Sequence, residues 1–262
     1  MTDIERDPWA LLGSRTPARI AIGRAGASLP TREVLSFSLA HARARDAVHA
    51  PFDRTALAAQ LQRLGLGTVE VASDAPDRAT YLRRPDLGRR LDASSREHLA
   101  AIARDCAASC DLALVIGDGL SATAVARQAA SVVEAFLPHA TRLGLKLGPV
   151  ALAQGARVAL GDDVGSLLGA RLVAVLIGER PGLSACDSLG IYLTYSPRPG
   201  CTDAQRNCIS NVRPDGLAPL AAARTLAWLV EAALQAQATG VALKDRSSEV
   251  EIGADRPGAW LR

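Results

Sequence analysis

The sequence predicts an α/β protein, with a parallel sheet and flanking helices in its C-terminal part and a mostly helical segment before it. Two observations carry that reading. From Asp111 onward, DLALVIGDGLSATAVARQAASVVEAFL reads as an apolar strand, a glycine turn and a long alanine-rich helix; PVALAQ and then GARVALGDDVGSLLG repeat strand and helix; LVAVLIG and GIYLTY supply a third and a fourth strand. The runs Val173–Ile177 and Gly190–Tyr195 are apolar on both faces and stop at Gly178 and at Ser196-Pro197, as strands of a covered parallel sheet do.

Along the chain, Asp7 and Pro8 have the N-cap and first-turn chemistry of a short amphipathic segment carrying Trp9, Leu11 and Leu12. This segment reads either as a terminal turn or as a peptide that docks elsewhere. Residues 16–30 form a Gly-rich extended connection. Thr31 then caps a helix in which Val34, Leu35, Leu39 and Ala42 recur at helical spacing. A helix from Arg54 to Leu64 carries the stripe Leu57, Leu61 and Leu64 and ends at Gly65; a short strand follows at Thr68–Ala72. The arginine-dense loop around Arg83, Arg84, Arg89 and Arg90 reads as a solvated or internally paired loop, or as an interface to an acidic surface. Ser94 and Glu97 form a capping box for a helix over Ser95–Cys110, and Gly240 is the expected C-terminal cap of the long helix in LAPLAAARTLAWLVEAALQAQATG. The expected division is an N-terminal extension over 1–30, a mostly helical domain over 31–109 and a Rossmann-like domain over 110–262.

Composition excludes several function classes. A net charge of +3, with 22% charged residues of both signs, provides no basic stripe for a phosphate backbone, and 3% aromatic content disfavours a base-stacking platform. No apolar run approaches the roughly 20 residues of a membrane span, and the first residues lack signal-peptide organisation, so a cytoplasmic protein is expected. The five cysteines are expected to be reduced; Cys106 and Cys110, four apart on one helix, could share a metal but read better as small buried residues.

Parallel sheets bind ligands beyond the carboxyl ends of their strands, which puts Glu179 and Arg180 at that address. Gly117-Asp118-Gly119-Leu120-Ser121-Ala122 matches G-x-G-x-x-A between a strand and a helix, which leaves open a dinucleotide-dependent oxidoreductase built on the Gly117–Gly119 turn. Against that, the second strand ends at Gln154 instead of a ribose-binding acid, and Asp118 would repel a pyrophosphate. His41, His49, His98 and His139 show no metal-ligand spacing, and no G-x-S-x-G elbow is present. No base, nucleophile and orienting group converge, so the chain reads as a binder without catalytic machinery of its own.

The run IGERPGLSACDSLGIYLTYSPRPGCTDAQRNCISNVRPDGL, with HARARDAVH, YLRRPDLGRRL, DLALVIGDGLSATAV and the opening DPWALLGSRTPARIAIGRAG, closely resembles the light (small) chain of ethanolamine ammonia-lyases, in the family's order over nearly the whole chain. The resemblance implies a two-chain enzyme that uses adenosylcobalamin to convert ethanolamine to acetaldehyde and ammonia by a radical route. It also implies a hetero-oligomer in which the heavy chain holds ethanolamine while the light chain covers the corrinoid and is inactive alone. Three of the family's cobalamin contacts fall on Val158 in GARVAL, Glu179 in IGERPG and Cys208 in RNCISN. Val158 would offer an apolar contact, Glu179 a hydrogen-bond acceptor and Cys208 a side chain small enough for close approach. No Asp-x-His-x-x-Gly run is present, so the cofactor is expected to keep its own benzimidazole on cobalt. The family's N-terminal region further implies delivery into a bacterial microcompartment, for which Trp9, Leu11 and Leu12 are the candidate residues.

Overall fold

The computed structural model describes residues 9–13, 15–16, 18–105 and 110–248. In chain order they hold α1 (Ala10–Gly13), α2 (Thr31–His49), α3 (Arg54–Arg63), β1 (Thr68–Ala72), α4 (Arg78–Arg83), α5 (Ala93–Asp105), β2 (Leu112–Gly117), α6 (Ala122–Arg142), β3 (Val150–Gln154), α7 (Leu160–Leu167), β4 (Leu172–Gly178), β5 (Leu189–Tyr195), β6 (Arg206–Val212) and α8 (Pro219–Ala236). Asp7 and Pro8, which open the expected N-terminal segment, and Cys106 of the expected cysteine pair lie outside the described residues.

The fold is mixed α/β. Six strands form one sheet in the order β1-β3-β2-β4-β5-β6. The first four are parallel, but β5 runs antiparallel to β4 and β6 antiparallel to β5. The sheet is therefore mixed rather than parallel throughout, and chain length explains the difference. Only residues 179–188 separate β4 from β5, and only 196–205 separate β5 from β6. Neither stretch holds the helix that a parallel crossover of a dozen or more residues uses. The sixth strand lies in RNCISNV, beyond the four strands expected in this part of the chain.

Alternation along the strands divides the apolar residues between two cores. Leu112, Leu114, Ile116, Leu152, Leu172, Ala174, Leu176, Ile191, Leu193 and Ile209 face one way, under α6 and α8. Ala113, Val115, Ala151, Ala153, Val173, Val175 and Ile177 face the other way, under α5 and α7. Each fully buried Leu, Ile or Val contributes about 1.5–3 kcal/mol. β1 sits at the edge beside β3, while α2 and α3 pack on α6.

Three helix ends differ from the sequence expectation. Asp92, rather than Ser94 with Glu97, caps α5: its Oδ1 accepts the Ser95 N–H at 2.7 Å, while the Ser95 hydroxyl accepts the Ala72 N–H at 2.9 Å. Thr31 is the first helical residue of α2, and Pro30 precedes it without a side-chain bond. α8 closes on Gln237 at φ +53°, four residues after the last fully buried position, Ala233; Gly240 instead opens a short 3₁₀ turn.

Candidate functional site

β4 delivers Glu179 to the rim of the sheet. Its Oε2 accepts the Ser188 hydroxyl at 2.5 Å and the Asn211 N–H at 3.3 Å, so the entry to β5 and the end of β6 both hold the carboxylate. Gly190 makes room for it: a Cβ there would stand 3.1 Å from Oε1 and 3.2 Å from Tyr192 Cε2. Oε1 receives no hydrogen bond among the described residues and stays an open acceptor beside the sheet.

Cys208 pairs with Tyr192 across the β5–β6 ladder. Packing around the two groups pushes both pKa values up, and the Glu179 carboxylate pushes the same way. The structure thus brings Glu179 and Cys208 together through Tyr192. On this face no helix among the described residues covers β6, and Cys208 and Ser210 are exposed.

Val158 occupies the turn leading into α7 and packs against the same core as Tyr192. One turn along, Gly161 lies directly on Val175, where a Cβ would strike the valine side chain. Val175 pairs with Tyr192, and Tyr192 with Cys208. The head of α7, with Val158, therefore borders the open strip from one side while Glu179 borders it from the rim.

A buried ion pair ties α7 to β6. The side chains of Arg206 and Asp162 are 2% and 1% exposed. Arg206 donates to Asp162 Oδ1 at 2.7 Å, Asp162 Oδ2 at 2.6 Å, Thr194 Oγ1 at 2.9 Å and the Cys201 carbonyl at 2.9 Å. Burial pushes the Asp162 carboxyl pKa up, while the forked contact to Asp162 holds the Arg206 guanidinium pKa up against its own burial. Beside the pair, a groove of about 620 Å³ runs between residues 85–90, the head of α7 and residues 199–203.

Sequence reasoning missed Tyr192, Ser188 and the Arg206–Asp162 pair. The signal available was the alternation in RNCISNV, which sends Arg206, Cys208 and Ser210 to one face.

The glycine turn is filled by protein. Leu120 N–H donates to the Gly178 carbonyl at 2.9 Å and the Ser121 hydroxyl to the Cys186 carbonyl at 2.8 Å. Asp118 is buried, accepts the Ala156 N–H at 3.0 Å and pairs with Arg78 at 3.1 Å. Gly119, at φ +54°, packs so closely on Gly178 that a Cβ would overlap the backbone. The glycines thus serve the approach of chain to chain, and the Leu120 and Ser121 N–H groups are engaged within the protein.

His41 and His49 lie on α2, His98 on α5 and His139 on α6, away from the open strip. Among the described residues no group of His, Cys, Asp and Glu is placed to hold a metal. The arginine loop divides. Arg84 pairs with Asp86 at 2.7 Å and Arg83 donates to the Ala79 carbonyl, both in solvent, whereas Arg89 and Arg90 line the groove. Tyr81 is fully buried between two guanidinium groups, Arg78 at 4.8 Å and Arg157 at 4.3 Å from its ring centre, and donates its hydroxyl to the Ala156 carbonyl at 2.9 Å. Among the described residues Arg78 Nη2 and Arg157 Nε have no hydrogen-bond acceptor, and the tyrosine π-face compensates them. This clamp fixes the loop that carries Val158. Among the described residues no helix is long and apolar enough to cross a membrane.

Comparison with known proteins places these features in a family. The family model described as ethanolamine ammonia-lyase light chain (EutC) matches residues 6–244. The ethanolamine ammonia-lyase small subunit of Bradyrhizobium diazoefficiens is 57% identical over 247 residues, covering 94% of this chain and 94% of its own. That of Rhodopseudomonas palustris is 58% identical over 232 residues, 88% of each chain. That of Ralstonia nicotianae is 52% identical over 253 residues, 97% of this chain and 94% of its own.

Proposed function

The chain belongs to the ethanolamine ammonia-lyase light-chain family, and from that premise we propose that it works with a heavy chain in an adenosylcobalamin-dependent ethanolamine ammonia-lyase, forming part of the cobalamin site at the subunit interface. Adenosylcobalamin, when bound, supplies the radical chemistry that turns ethanolamine into acetaldehyde and ammonia. The light chain's part is to hold, orient and shield.

One observation carries this reading: a strip of sheet around Glu179, Tyr192 and Cys208 that no helix covers, bordered by Val158. The donor set suits a corrinoid, whose rim carries amide side chains. Glu179 Oε1 is an open acceptor for their N–H groups, fixed by the two bonds to its other oxygen. Val158 presents methyl groups from a turn that Tyr81 and Arg157 hold still. Cys208 occupies an exposed position with little bulk, letting a broad flat ligand approach the β6 backbone. The histidines all lie away from the strip, in keeping with a cofactor that retains its own benzimidazole. The N-terminal extension over 1–30, the helical domain over 31–109 and the Rossmann-like domain over 110–262 remain the proposed division. Trp9, just before α1, and Leu11 and Leu12 on it, all exposed, are the groups we assign to delivery into a microcompartment.

The test is reconstitution. The chain alone should release no ammonia from ethanolamine with adenosylcobalamin present; the complex with its heavy chain should do so, and should retain cobalamin through gel filtration. A complex that shows neither cobalamin retention nor cobalamin-dependent ammonia release overturns the proposal.

A further inference from the structure

We infer that Arg89 and Arg90 form a phosphate subsite in the groove beside Val158, and that its ligand is the phosphodiester in the nucleotide tail of the cobalamin; this rests on the function proposed above. The groove lining includes Arg89, Arg90, Arg96, Arg157, Asp162, Asp163 and Asp203 together with Val158 and Gly200. Most of these charges are already matched. Asp163 accepts Arg96, and Asp162 is held by the buried Arg206 in a fork. Asp203, almost wholly exposed, lies 3.6 Å from Arg206 Nε. Arg157 stacks on Tyr81.

Arg89 and Arg90 are left. Neither side chain makes a hydrogen bond or ion pair among the described residues; Arg90 is near enough to help lower the pKa of Asp86, but that carboxylate is already engaged by Arg84. Counting Arg206 beneath the floor, the groove holds two more arginines than aspartates. The loop bearing the pair is anchored on both sides: the Gly88 carbonyl accepts the Arg157 N–H at 2.7 Å, and the Arg90 carbonyl accepts the Asp74 N–H at 3.1 Å. Gly88 itself packs on Tyr81 and Arg157, leaving no room for a side chain. Two adjacent guanidinium groups on a fixed loop, with no carboxylate of their own, suit an oxyanion that accepts paired N–H bonds. Val158 lines this groove and packs against the same core as Tyr192, so it is the residue past which a ligand lying over Cys208 and Glu179 would extend toward the two arginines.

The experiment measures corrinoid affinity of the assembled two-chain complex by absorbance titration, with cobalamin and with cobinamide, which lacks the nucleotide tail and its phosphate. For Arg89→Ala and Arg90→Ala, and for the double variant, the ratio of variant to parent Kd is compared between the two ligands, so the loss of the axial base cancels. Expected is a rise of about tenfold per arginine for cobalamin and a ratio near one for cobinamide. Equal losses for both ligands, or none for either, overturn the subsite while corrinoid binding by the parent leaves the function proposed above standing. Failure of the variants to assemble with the heavy chain identifies the pair as a protein interface and overturns it too. A parent complex that binds neither corrinoid removes both readings together.

Discussion

The Arg206–Asp162 pair offers the sharpest test of how the site is held. Asp162→Asn removes one charge from a fork whose partners are 2% and 1% exposed and leaves Arg206 buried, with Thr194 and the Cys201 carbonyl as its remaining close acceptors. Leaving one member of such a pair uncompensated costs about 3–5 kcal/mol. Against a total stability of about 5–15 kcal/mol, that is a substantial fraction. At about 2–4 °C per kcal/mol for a chain of this size, the melting midpoint should fall by roughly 6–20 °C. Thermal unfolding followed by circular dichroism reads it directly. A second arm separates charge from packing: Asp162→Leu combined with Arg206→Met should recover most of the loss, because apolar pairs of similar volume replace buried ion pairs at little cost. A single variant within about 2 °C of the parent would refute the claim that this pair locks α7 onto β6.

Two further outcomes follow from the strip. Glu179→Gln should raise the cobalamin Kd of the complex by roughly three- to tenfold and shift the melting midpoint little, since the amide oxygen can still accept from Ser188 and Asn211; unchanged affinity would remove Glu179 from the contact. Cys208 should alkylate slowly near neutral pH. The thiolate is the nucleophile, and packing beside Tyr192 together with the Glu179 charge raises the thiol pKa, so the rate should climb only above the ordinary thiol range. Peptide mass spectrometry after timed iodoacetamide treatment resolves this site from Cys201 and Cys186, and a neutral-pH rate equal to that of an unstructured cysteine peptide would contradict the assignment.

Much of the scaffold was legible because its signals are local. The strand at Thr68–Ala72, the helix beginning at Arg54 and the apolar run ending at Gly178 are set by alternation, helical spacing and glycine, each read within a few residues. Strand direction is less local: it turned on what the two ten-residue connections 179–188 and 196–205 could not contain. The cap of α5 shows a smaller version of the same limit. Asp92 and Ser94 are both competent cap residues, and it is Asp92 that accepts the Ser95 N–H, while Ser95 turns its hydroxyl to the Ala72 N–H of the edge strand. Glu179 was legible as a rim residue, but its partners Ser188 and Asn211 come from two other segments, and the Asp162–Arg206 fork joins positions 44 apart. Pattern reading finds positions along one element; it has no access to pairs that only the sheet order brings together.

The connections that depart from the parallel pattern also leave the candidate site uncovered. A parallel strand enters a sheet by way of a crossover helix, and that helix covers the face beside it. β2, β3 and β4 arrive in this way and are covered on both faces, by α6 and α7 among others. β5 and β6 arrive by short antiparallel connections that bring no helix, and α8 follows them onto only one face. The opposite face of this extension is left with Tyr192, Cys208 and Ser210 partly or wholly in solvent, in a protein whose other central strands are buried. Such a strip, polar at its rim through Glu179 and apolar at its border through Val158, is unfinished as a monomer surface. The two short connections leave the room that the cofactor site proposed above would use.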